Sequence, residues 1–72
     1  MIVEVFKTNV TDNEVADKII SDLSLIMPES RINFDLTDCD KILRIESTTH
    51  IHIESISERI SNWGYVCEVL EP

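Results

Sequence analysis

Four groups of side chains in this sequence carry types and spacings that could do chemistry. They are the thiols Cys39 and Cys67, the pair His50-Ile51-His52 flanked by Glu46 and Glu54, the acids Asp35, Asp38 and Asp40, and the aromatics Trp63 and Tyr65. Two thiols could form a disulfide or hold a soft metal ion. A small secreted scaffold usually carries more cysteines than two, so both are expected to be reduced, with exposed Cys39 the one that could crosslink two chains. Imidazoles beside carboxylates suit Zn(II) or Ni(II). On an extended segment the two rings are expected to point to opposite sides, a poor arrangement for one ion. The plainer reading is solvated histidines before a helix, with Ile51 packing against that helix as a staple. The three aspartates resemble part of a calcium loop, but such a loop needs more ligands and a glycine at its sharp bend. Turn chemistry accounts for them better. Trp63 and Tyr65 could form a ligand platform, although Trp63 falls on an apolar helix stripe and reads as core.

Catalytic patterns are missing from the sequence. It contains no Gly-rich phosphate loop, no nucleophile elbow and no Cys-x-x-Cys, and no nucleophile is placed beside the histidines. The expectation is a protein that is not an enzyme and has no cofactor.

Charge narrows the partners. Fourteen acids stand against six Lys and Arg, for a net charge of -8. Such a chain repels phosphate backbones and anionic membrane surfaces, which argues against nucleic acid or membrane as partner. No apolar run approaches the roughly 18 residues of a membrane span. No basic start followed by an apolar stretch marks a secretory leader, so a cytoplasmic location is expected. With 72 residues, 43% apolar and 28% charged, residues 1–72 read as one globular domain with a thin core.

The elements that must position these groups follow from periodicity. Residues 2–8 alternate as a strand, with Val3 and Val5 on one face, continued by Lys7 into solvent, and Ile2 and Phe6 on the other. Thr11 and Glu14 form a capping box and Val10 and Val15 a hydrophobic staple, the start of a helix. Its stripe is Val15, Ile19, Leu23 and Ile26, widened by Ala16, Ile20 and Met27. Pro28 ends it near Ile26. Residues 31–36 and 41–46 make a hairpin around the turn 37–40, with Ile32, Phe34, Leu36, Leu43 and Ile45 facing in. A second helix, 53–63, buries Ile53, Ile56, Ile60 and Trp63, and Gly64 suits a left-handed C-cap. Residues 65–70 are the last strand.

The order strand, helix, strand, strand, helix, strand predicts an α+β, ferredoxin-like βαββαβ sandwich: a four-stranded antiparallel sheet with two helices on one face. The first and third strands are central. Cys39 and Cys67 then belong to opposite edges, on the order of 14 Å apart at about 4.8 Å per strand, beyond the reach of a disulfide or a shared ion. The other sheet face is open and is expected to carry Ile2, Phe6, Ile42, Val66 and Leu70, which suggests homodimerisation through it.

This order, with two local patterns, resembles the heavy-metal-associated (HMA) domain of copper chaperones, mercury-binding proteins and metal-pumping ATPases. The family's loop after the first strand reads Met-Thr-Cys-x-x-Cys, where this chain has Val10-Thr11-Asp12-Asn13-Glu14-Val15. The family's second helix carries paired Ile before a Gly-Tyr, matched by Ile56, Ile60, Gly64 and Tyr65. The resemblance spans nearly the whole chain. It aligns Asp12 and Val15 with the two cysteines, because a shift by one would put Lys18 and Asp22 on the core stripe and turn Glu4 inward. Val15 has no donor atom and Asp12 is a hard ligand, so the motif is degenerate and no metal is expected there. The resemblance implies the metal-chaperone scaffold without its metal site, a module for protein interaction or self-association. One alternative is a metal-binding or trafficking protein with a relocated site at His50, His52, Cys39 or Cys67. Another is a small-ligand sensor.

Overall fold

Strand β1 (Ile2–Thr8) is one of two central strands of a four-stranded antiparallel sheet. The computed structural model describes residues 1–70. Along the chain β1 is followed by α1 (Asn13–Ile26), β2 (Arg31–Asp35), β3 (Ile42–Ser47), α2 (Ile53–Asn62) and β4 (Cys67–Val69). The sheet order is β2-β3-β1-β4, and the order of elements is that of the ferredoxin-like α+β sandwich. Neither helix is long and apolar enough to cross a membrane.

The phase of β1 is the reverse of the sequence expectation. Phe6 pairs with Leu43, Glu4 with Ile45 and Ile2 with Ser47, and directly opposed residues share a face. Leu43 and Ile45 are fully buried, so Ile2, Glu4, Phe6 and Thr8 lie on the helix side, while Val3, Val5 and Lys7 lie on the open face. Ile2 and Phe6 are therefore not on the open face, although Ile2 at the strand end is still 38% exposed. The strand has apolar residues on both faces, so alternation alone leaves its phase ambiguous. Burying a phenylalanine removes more apolar area from water than burying a valine, which favours the observed phase. Thr8, also buried, donates its hydroxyl to the Lys41 carbonyl and accepts the Val10 amide at 3.3 Å. Among the described residues no buried side-chain nitrogen or oxygen lacks a hydrogen-bond partner.

Helix α1 starts one residue later than the capping box implies. Asp12 is the cap: its Oδ1 accepts the Glu14 amide at 2.8 Å, and its carbonyl accepts the Ala16 amide at 2.9 Å. Its carboxylate also sits at the positive end of the helix, which a threonine hydroxyl does not match. Val10 and Val15 are then out of register for a staple, and Val10 is instead fully buried. Ala16, Ile19 and Leu23 form the buried face, and Ile26 in the last turn is 39% exposed.

Helix α2 buries Ile56 and Ile60. It closes on the expected glycine. Gly64 has φ +88, its amide reaches the Ser61 carbonyl at 2.9 Å, and the Tyr65 amide reaches that of Ile60 at 3.3 Å. This is a Schellman motif, with glycine where a Cβ would be strained. The last strand is shorter than 65–70, because the Val66 amide is taken by the Asn9 side chain at 2.8 Å.

Candidate functional site

Four places bring together groups with chemical potential. The first is the loop 10–15, compared above with the HMA metal loop on sequence resemblance. Asp12 spends Oδ1 on the α1 cap, and Val15 packs half-buried against the core. The loop begins a helix, and Asp12 and Val15 offer one carboxylate and no thiolate. One support for that alignment fails, because Glu4 does lie on the helix side of the sheet, half-buried. The other holds, since Lys18 is exposed and Asp22 lies outside the buried face of α1.

The second place is the hairpin turn. Cys39 is exposed there and Cys67 half-buried on β4, both as free thiols. Cys67 pairs with Thr8 of β1, and the Thr8 amide reaches the Asp40 carbonyl at 3.0 Å, so the turn that carries Cys39 folds beside β1 instead of staying at the β2 edge. Burial pushes the Cys67 thiol up to about 11, with the Ser57 hydroxyl opposing and Glu68 adding to the shift. Asp38, Cys39 and Asp40 hold their ligand atoms within 4.8 Å of one another. The carboxylates already have local work. Asp35 Oδ1 accepts the Thr37 hydroxyl at 2.6 Å and the Thr37 amide at 3.2 Å, and Asp38 Oδ1 accepts the Asp40 amide at 2.8 Å. These Asx turns are the turn chemistry read from the sequence. The Thr37 hydroxyl, helped by its amide, holds the Asp35 carboxyl below its ordinary value.

The third place is a groove of about 690 Å³ between the end of α1 and the flank of α2. Ile26, Met27 and Pro28 line one side, and His50, His52, Ile56 and Arg59 the other. The expected divergence of the histidines is wrong. Their ring centroids are 4.8 Å apart with planes at 85°. Ile51 between them turns into the core at 3% exposure, and residues i and i+2 of an extended segment share a face. Trp63 also departs from expectation: it is 38% exposed at the end of α2, and its indole N–H donates to Asp22 Oδ2 at 3.1 Å. The groove was not legible in the sequence. Pro28 predicts where α1 stops, but no local pattern places that stop beside α2.

The fourth place is the open face of the sheet. Its rows run Arg31, Glu46, Val3, then Asn33, Arg44, Val5, then Asp35 with Ile42, then Lys7 with Glu68. Val3 is 42% exposed and Val5 half-buried. Arg44 and Glu46 pair along β3 at 3.2 Å. Comparison of the chain with protein-family models, curated proteins and solved structures returns no significant match.

Proposed function

We propose that the chain is a non-catalytic cytosolic module, built on an HMA-like scaffold with a degenerate metal site, that works by self-association through its open sheet face. The observation that carries the reading is the distribution of charge. Lys7, Arg31 and Arg44 on that face stand against Asp35, Glu46 and Glu68, and Asp40 of the hairpin turn also reaches Lys7 at 3.8 Å. The rest of the described chain sets Lys18, Lys41 and Arg59 against nine acids. Two copies of a chain with net charge -8 repel wherever acids meet acids. The sheet face is much nearer neutrality than the rest and repels a second copy least. It offers both signs for mutual pairing around Val3 and Val5, as a self-complementary two-fold contact requires. The apolar part of that face differs from the sequence expectation, since Val3 and Val5 stand in place of Ile2 and Phe6.

Sedimentation equilibrium tests the reading. A dimer mass at tens of micromolar is expected, with Val5→Glu returning the chain to a monomer that keeps its circular dichroism. A monomer mass for the unaltered chain at that concentration overturns it.

A further inference from the structure

We propose that His50 and His52 form a chelating pair for a borderline divalent cation, Zn(II), Ni(II) or Cu(II), at the mouth of the groove between α1 and α2. An imidazole nitrogen lies about 2.0–2.1 Å from such an ion, which sets the ring centroid about 3.2 Å away; two centroids 4.8 Å apart then subtend roughly 95–100° at a common ion. That angle falls between square-planar and tetrahedral coordination. The present edge-to-face arrangement is no obstacle. The Cβ–Cγ axis passes close to the ring centre, so turning each ring about this soft torsion redirects its nitrogens and leaves the centroids nearly in place.

The pair is held in advance of binding. Ile51 anchors the segment in the core, and buried Ser47 accepts the Thr49 amide on its hydroxyl at 3.1 Å. On the other side the His52 carbonyl accepts the Ile56 amide at 3.2 Å. Little backbone freedom remains to be lost on binding.

The surrounding charge favours a cation. Glu29 and Glu58 line the same groove, and its one arginine, Arg59, is engaged with Asp22 at 2.6 Å. The positive end of α2 opposes a cation near His52, and Glu54 in its first turn offsets it. Among the described residues the one set of three potential ligand atoms gathered within 4.8 Å is Asp38, Cys39 and Asp40, so no third side chain joins the histidines. The ion keeps positions for water or an external ligand, and micromolar rather than tighter affinity follows. The site is at the opposite end of the sheet from the loop 10–15, since Ser47 pairs with Ile2 while that loop follows Thr8. It also lies on the helix side, so it stands or falls separately from self-association through the open face.

The experiment is calorimetric titration of the full reduced chain with Ni(II) and with Zn(II), repeated on His50→Ala, His52→Ala, the double variant and Cys39→Ser. Both imidazoles are exposed, and circular dichroism verifies that the variants fold. One ion per chain at micromolar Kd is expected. Each single histidine variant should lose at least the roughly tenfold that even an outer partner of a metal ligand is worth. Cys39→Ser should bind as the unaltered chain does. Binding that survives in the double variant, or no binding below millimolar ion, overturns the proposal.

Discussion

Asp22 on α1 and Arg59 on α2 meet at 2.6 Å across the two helices, 37 positions apart in the chain. The second carboxylate oxygen of Asp22 takes the Trp63 indole at 3.1 Å. One side chain therefore ties α1 to the middle and the end of α2, and it accounts for a tryptophan that stands on the surface instead of in the core.

Asp22→Ala should destabilise the fold by about 1 kcal/mol: the Asp22 and Arg59 side chains are 21% and 39% exposed, so solvent reduces the value of the pair to the usual range for surface ion pairs with good geometry. Urea unfolding measures this. A double-mutant cycle with Arg59→Ala should show positive coupling, and Trp63 fluorescence should shift in the Asp22 variant. Additive effects would mean that the pair contributes nothing as a pair.

The phase of β1 predicts unequal effects on its two faces. Phe6→Ala should cost about 3–5 kcal/mol, as much as a domain this small has in total, and leave the chain largely unfolded. Phe6→Leu is the milder variant, expected to fold with reduced stability. Val3→Thr on the open face should stay within about 0.5 kcal/mol. Thermal melts that reversed this order would mean that the sheet presents its other face to the helices.

The α1 cap makes a similar distinction. Asp12→Ala should lose about 1 kcal/mol with the carboxylate bond to the Glu14 amide, while Thr11→Ala should change stability by less than about 0.5 kcal/mol. The reverse ranking in denaturant melts would restore the Thr11–Glu14 box.

The two thiols should differ in reactivity and in linkage to pH. Iodoacetamide near pH 8 should modify exposed Cys39 well before Cys67, whose thiol is pushed up to about 11. In the unfolded chain that thiol ionises near its ordinary 9.0. Below pH 9 both states keep the proton and the stability is intact. Between pH 9 and 11 the unfolded state loses it first, so stability falls as pH rises. Cys67→Ala should remove that part of the slope, and an unchanged slope would show that burial does not hold the thiol protonated.

Signals confined to a few residues proved legible. Pro28 stops α1 at Ile26, Gly64 closes α2 in a left-handed turn, and clean alternation over 31–35 puts Ile32 inside. These depend on backbone geometry within one turn or on one polar face, and neither needs the rest of the molecule. The helix start was half legible: Thr11 and Asp12 are both good caps, and the choice between adjacent caps rests on a small difference in energy.

What the sequence determines by itself is the order and type of the elements, and with them the ferredoxin-like topology, because hydrophobic period and breaker residues are local properties. The tertiary structure decided the rest. Strand β1 has apolar residues on both faces, and only packing against the helices and pairing of Phe6 with Leu43 choose which face is buried. The same choice places Val3 and Val5 among the mixed charges of the open face. The histidine pair depends on Ile51 entering the core, and the groove beside it on how near the end of α1 comes to α2. These distances join residues far apart in the chain, and no periodicity along the chain encodes them.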